Sequence, residues 1–265
     1  EPLPAGGGRA SHDVILSTCR STARGEFGLL TSLGRVIRGQ TIDLPSVPAT
    51  AQAPNLQGGS PSGELFGLQP NERVLAVTSL DDQTHGWALG TERGVVKRVN
   101  PDLLARDSWE IIRLDEGDRV IGAAEVIDDR DELAFVTSDA QLLHFPVSSV
   151  RPQGRSGVSR PTGAVVVSVA GSSTALPGTD AGSVKVTPFE EYPGKGRGTG
   201  GVRCQRFLRG EDVLQLAWIG PSPAVAAAAS GSPVELPAID PRRDASGTSV
   251  GQPIAAVSTR SHGPQ

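Results

Sequence analysis

The sequence predicts an all-β ring of repeated antiparallel sheets, and three observations carry that reading. The stretch Asn71–Pro101, NERVLAVTSLDDQTHGWALGTERGVVKRVNP, holds three short apolar runs: Val74–Thr78, Trp87–Leu89 and Val95–Val99. Acidic or Gly-containing turns, Asp81-Asp82 and Glu92-Arg93-Gly94, separate them. Short runs rich in Val, Leu and Trp between turn residues are strands rather than helices. The unit also recurs: Val14, Val74, Val120, Val166 and Val213 are spaced 60, 46, 46 and 47 residues apart. A period of that size marks a repeat architecture, and three or four strands per repeat points to about five four-stranded blades round an axis. Finally, 33 Gly and 21 Pro supply the many tight turns that such a body needs.

Taken in order, residues 1–12 are a Pro/Gly-rich flexible lead-in. Repeats follow near 13–40, 64–101, 109–150, 161–192 and 202–239, together forming one domain over 13–239. Gln40–Gly63 is too turn-rich for strands and explains the first, longer spacing; a loop of that length is either functional or unstructured. Asp128–Glu132 forms an acidic hairpin tip before the strand Leu133–Thr137. In the fourth repeat the middle strand is eroded to Ser172–Gly178. Residues 240–265 lose the pattern and read as a disordered tail.

Composition narrows the function. Net charge is −4, but the charge is segregated. Tyr192–Gly210 carries Lys195, Arg197, Arg203, Arg206 and Arg209 with no acid, and Arg151, Arg155 and Arg160 form a second acid-free group. Stripes of this kind, not totals, bind phosphates. Arg35, Arg38, Lys97, Arg98 and then Lys185 close third strands, so equivalent positions in successive blades would line one curved stripe. Cys19 and Cys204 make neither a disulfide framework nor a metal spacing. No signal peptide and no apolar run of spanning length is visible, so a reducing intracellular setting is expected. With no Met, the chain reads as a piece of a longer or processed product.

Catalytic readings find little support. Gly194–Gly201, GKGRGTGG, lacks the Lys-Ser/Thr step and following helix of a phosphate-cradling loop; its glycines instead let a backbone approach DNA closely. Asp81-Asp82 and Asp128–Glu132 sit at hairpin tips, where acids are ordinary turn residues rather than a glycosidase pair. The four His have no ligand spacing, and nothing around Tyr192 activates it. No catalytic residue, metal or cofactor is expected. A propeller scaffold for protein partners is the alternative from another class, and a propeller hydrolase with carboxylates converging in a central pocket is a third.

The units NERVLAVTSL…GWALGTERGVVKRV and GDRVI…LAFVTSDAQLLHF, with the Gly/Arg connectors, resemble the C-terminal domain of the A subunit of bacterial type IIA topoisomerases, DNA gyrase and topoisomerase IV. The resemblance covers about Asp13 to Pro237 and is weakest in the fourth repeat. It implies a β-pinwheel, a ring whose blades exchange strands, with a basic rim that binds and bends the transported double-stranded DNA without sequence preference. It also implies partners that hold the chemistry: the ATPase B subunit, and the N-terminal catalytic core of the same polypeptide. The implied location is cytoplasmic and nucleoid-associated, with no membrane. The gyrase box, Gln-Arg-Arg-Gly-Gly-Lys-Gly, is degenerate here: Gln57-Gly58-Gly59-Ser60-Pro61-Ser62-Gly63 keeps only its ends, and Gln153–Gly157 is a partial echo in another connector. That departure favours a topoisomerase IV-like subunit, with decatenation and relaxation over strong negative supercoiling.

Overall fold

In a computed structural model, residues 9–46, 59–80, 84–100, 103–127, 131–150 and 163–260 are described. They form five separate antiparallel sheets, each built on a hairpin and completed by strands from later in the chain. The first sheet runs Val74–Ser79, Glu26–Thr31, Arg35–Gln40, Ser108–Glu110, and the second Val120–Glu125, Trp87–Thr91, Val96–Val99. The third runs Glu132–Val136, Gln141–Pro146, Val202–Arg203. The fourth runs Val213–Pro221, Ala164–Gly171, Ser183–Pro188, Thr248–Ser249, and the fifth Ala256–Thr259, Ala224–Ala227, Pro233–Val234. Two sheets thus hold four strands and three hold three, counting described residues.

Four of the five hairpins share one turn. The third turn residue donates its amide back to the strand end: Gly34 to Thr31, Gly94 to Thr91, Ala140 to Thr137 and Gly231 to Ala228. Its backbone is left-handed in each case, with φ between 62° and 84°, which is why Gly fills three of the four positions. The strand that joins each hairpin from the following repeat also carries a shared irregularity. Register slips past Leu75, Ile121 and Gln215 in the first, second and fourth sheets, a β-bulge that sharpens local twist.

Strand exchange corrects the block-wise reading of the repeats. The first sheet draws on residues 26–40, 74–79 and 108–110, not on one contiguous segment. Val74, Val120 and Val213 do begin joining strands, but Val166 lies inside a hairpin strand and Val14 lies outside any strand. The eroded Ser172–Gly178 is the loop of the fourth hairpin; its strands, Ala164–Gly171 and Ser183–Pro188, are well formed.

Sheets stack face to face through apolar side chains. Leu30, Val36, Trp87, Leu89, Trp109 and Val120 fill the space between the first and second. Leu142, Val166, Phe189, Tyr192, Cys204 and Leu214 fill that between third and fourth, and Val165, Val167, Val169, Val184, Ala226 and Val257 that between fourth and fifth. The strand Ala164–Gly171 is therefore buried on both faces, and each fully buried Val contributes about 1.5–3 kcal/mol. Phe135 of the third sheet packs on Gly90 of the second, where a Cβ would stand 2.9 Å from its ring.

Two segments read as unstructured are docked. Arg9 donates to both carboxylate oxygens of Asp13 and to the carbonyls of Ala226 and Val234, so 9–12 is not a free lead-in; residues 1–8 lie outside the described set. In the supposed tail, Thr248–Ser249 extends the fourth sheet and Ala256–Thr259 the fifth. These strands are two and four residues long, too short to print a hydrophobic period on the sequence.

Candidate nucleic-acid interface

The acid-free run spans the free edges of the third and fourth sheets. After the short turn Phe189–Glu191, the chain crosses to the third sheet, where the amide of Lys195 donates to the carbonyl of His144 at 3.0 Å. Thr199 turns the loop by donating from its amide and hydroxyl to the carbonyl of Gly196, with Gly198 at φ 82°. Gly201 then passes so close to Leu142 that a Cβ would meet its carbonyl oxygen at 2.6 Å. Val202 and Arg203 pair with Leu142 and Gln141, and the Cys204 amide donates to the carbonyl of Ala140. Arg206 crosses to the fourth sheet, donating its amide to the carbonyl of Ala245 and bridging to Ser246. Glu211 caps the amide of Leu208 and ends the run.

Lys195, Arg197, Arg203, Arg206 and Arg209 are all exposed, and among the described residues none of them forms an ion pair. Beneath them the packing is tight. Cys204, Gln205 and Tyr192 are buried, so the run is a surface ridge on a fixed base rather than a floating loop. Burial pushes the Tyr192 phenol above its ordinary range and the Cys204 thiol up to about 11; neither is poised as a nucleophile.

The other sequence candidates fare differently. Arg35 is committed to Glu72 by two bonds, and Arg38 lies over the Trp109 ring while donating to Glu26 and to the carbonyls of Leu104 and Arg106. Arg98 is buried at 2% exposure, and half-buried Lys97 donates to the carbonyl of Ile111. Lys185 is buried at 2% exposure and donates to Thr187 and to the carbonyls of Arg242 and Arg243. Of the expected stripe of strand-closing cations, Arg35, Arg38, Lys97 and Lys185 are thus bonded to neighbouring segments, and Arg98 is buried. Arg151, Arg155 and Arg160 lie outside the described residues, as do Asp81-Asp82, Asp128-Asp129, Gln57-Gly58 and Gln153–Gly157. Sequence reasoning missed Arg242, which shares a shallow cleft with Arg206, Asp244, Ala245 and Ser246; the doubled Arg242-Arg243 was its only signal.

A cavity of about 490 Å³ is lined by the segment Leu16–Arg20 and by the joining strands of the first two sheets. Glu125 is the one carboxylate on its described wall, and it accepts from Thr78, Thr84 and the Ser79 amide. Among the described residues no group of three or more His, Cys, Asp or Glu could hold a metal, and no helix is long and apolar enough to cross a membrane.

Comparison with known proteins agrees with this architecture. The family model described as the DNA gyrase C-terminal domain, a β-propeller, matches residues 131–159 and 178–217. The DNA gyrase A protein of Mycobacterium bovis is 30% identical over 215 residues, 76% of this chain and 23% of that protein. Its counterpart from Chlamydia pneumoniae is 33% identical over 96 residues, 34% of this chain and 12% of that protein. The chain therefore spans under a quarter of the length of these curated relatives. Among solved structures, the C-terminal domain of DNA topoisomerase IV superposes with a TM-score of 0.66 at 15% identity, over 89% of this chain and 79% of that one. The E. coli ParC C-terminal domain gives 0.54 at 16% identity, over 89% and 98%.

Proposed function

Because the chain belongs to the family of DNA gyrase A C-terminal β-propeller domains, we propose that it is the DNA-binding domain of a type IIA topoisomerase A subunit. The observation that carries this reading is the exposed ridge Lys195–Arg209: five cations without ion-pair partners among the described residues, set along two adjacent sheet edges on a rigid base. Duplex DNA laid across both edges would meet phosphates at each and bend as it follows them. Such contacts position a duplex without reading its bases, since the ridge offers charge and glycine rather than a helix for the major groove.

The domain has no chemistry of its own in this reading. ATP hydrolysis belongs to the B subunit, with strand cleavage left to the catalytic core of the same polypeptide; these are its partners in a cytoplasmic, nucleoid-associated enzyme. The domain presents the transported segment and biases which topology is processed. Degeneracy of the box at Gln57–Gly63 favours relaxation and decatenation over strong negative supercoiling.

Titration of the chain against linear duplex at two salt concentrations tests the proposal. Binding that weakens steeply with salt and is indifferent to sequence is expected. No binding at low salt would leave the protein-scaffold alternative in its place.

A further inference from the structure

His144 is buried at 1% exposure on the strand Gln141–Pro146, directly under the root of the basic loop. Its Nδ1 meets the Glu132 carboxylate, and its Nε2 lies 2.9 Å from the carbonyl oxygen of Tyr192. Its own carbonyl accepts from the Lys195 amide at 3.0 Å. Its ring packs against Phe189 with centroids 4.6 Å apart. One residue therefore ties the segment Phe189–Lys195 by a ring nitrogen, a ring face and a backbone oxygen.

The two ring contacts impose a protonation state. The Tyr192 carbonyl can only accept, so Nε2 carries a hydrogen. The Glu132 carboxylate also accepts, so Nδ1 shares a second hydrogen with it. A neutral imidazole has one N–H and cannot serve both. Loss of the shared proton sets a bare ring nitrogen against an oxygen on one side or the other.

We propose that His144 is a positioning residue, a doubly donating clamp that holds the basic loop against the third sheet and makes duplex affinity depend on the proton shared with Glu132. The consequence for DNA rests on the function proposed above; the clamp itself rests on geometry alone. Among the described residues, the charged groups on the elements packed around the ring are Glu132 on the neighbouring strand and Asp131 just before it, Glu190 and Glu191 on the short turn, and Lys195 on the loop.

The test compares the 265-residue chain with three variants, using a short mixed-sequence duplex and hydrogen exchange of the 194–201 amides across about pH 6 to 9. In the parent, affinity and the loop's protection factors, corrected for the base-catalysed intrinsic exchange rate, fall together as pH rises. His144→Phe keeps a ring against Phe189 but loses both bonds. It is expected to bind about tenfold more weakly, with no pH step. Glu132→Gln is the decisive variant. Its side-chain carbonyl or amide can meet Nδ1 in either state, so a neutral imidazole can keep its Nε2 hydrogen on Tyr192; affinity should hold across the range and the pH step should vanish. Unchanged affinity and pH profile in both variants overturns the clamp. In that case weakened binding by Lys195→Glu/Arg197→Glu/Arg203→Glu leaves the DNA reading standing, and unchanged binding there overturns that reading as well. If His144→Phe fails to fold, Glu132→Gln alone decides, because it keeps the side-chain shape.

Discussion

Arg35 and Glu72 form a two-pronged ion pair, with Nε and Nη2 at 2.7 and 2.6 Å from the two carboxylate oxygens. It joins the first hairpin to the turn that launches the joining strand Val74–Ser79, so it fixes where the second repeat enters the first sheet. Burial alone would raise the Glu72 carboxyl, but the bonds from Arg35 and from the Gln69 amide outweigh it and hold the group down to about 2. A carboxylate depressed in the folded state adds stability that is present above its ordinary value of 4.5 and is lost as pH falls toward about 2. Glu72→Gln should cost about 3 kcal/mol, the lower end for a broken buried pair because Arg35 is partly exposed. Urea midpoints across that acid window check both points; the variant's midpoint should fall less with acid than the parent's.

Lys185 supplies a second pH signature, of the same sign but in the alkaline range. Burial brings its ammonium down to about 8 from 10.5, against the attraction of nearby Cys204, Asp240 and Asp244. Between those values the unfolded chain holds a proton that the folded chain has released. This group's contribution to stability therefore rises with pH through that window. Lys185→Met should abolish the rise. It should also release the carbonyls of Arg242 and Arg243, so that amides around the edge strand Thr248–Ser249 exchange faster. A variant with parent-like exchange at that strand would show that backbone pairing alone holds it.

Lys195→Glu/Arg197→Glu/Arg203→Glu should weaken binding to every duplex sequence alike. Each phosphate contact steepens the log–log salt dependence by about 0.9, so losing about three should flatten the slope by roughly 3. Bending a site by about 40–90° absorbs on the order of 1–6 kcal/mol of contact energy, so net affinity in the parent is expected to be modest. By contrast, Arg98→Gln should leave the slope untouched, because a residue at 2% exposure meets no phosphate. A flattened slope in that variant would place the interface elsewhere.

The contrast between those variants shows what the sequence could convey. Repeat spacing marked Val74, Val120 and Val213 as strand starts, though as the first strands of their own repeats rather than as strands joined to the preceding hairpin. The sequence also marked Lys195–Arg209 as a run with no acid, whose five cations prove exposed. It could not tell Arg98 from Arg203. Both close or border strands, but these sheets are covered on both faces by their neighbours, so alternation no longer separates inside from outside. Arg98 falls on a covered face and Arg203 on a free edge, and only the stacking of sheets decides that. The docking of 240–260 was equally hidden, since it depends on edge pairing and on the bonds from a buried Lys185 rather than on an apolar period.

The N-terminal segment closes the set of sheets, and its removal gives the last prediction. Arg9 reaches the carbonyls of Ala226 and Val234, the His12 amide donates to the carbonyl of Gly231, and Ser258 donates its hydroxyl to the carbonyl of Ile15, all in the fifth sheet or its turns. Val14 packs there on Val225 and Ala227. A few residues on, Ser17 bonds to Val77 in both directions and Cys19 joins the apolar face of Phe27, Leu29 and Ile37 in the first sheet. Eleven residues, Arg9–Cys19, therefore clasp the last sheet to the first. Arg9→Ala leaves Asp13 and two carbonyls without their donor, which should cost about 1–3 kcal/mol. Val14→Asp adds a charge to an apolar contact and should release the clasp outright. The loss should be local. Amides of Ala224–Ala227 should exchange faster, while those of Val36 and Trp87, in the core between the first two sheets, keep their protection. The fifth sheet, still packed on the fourth, would then part from the first, and the radius of gyration from solution scattering should grow. Uniform loss of protection across all five sheets would mean instead that the clasp is part of one cooperative core.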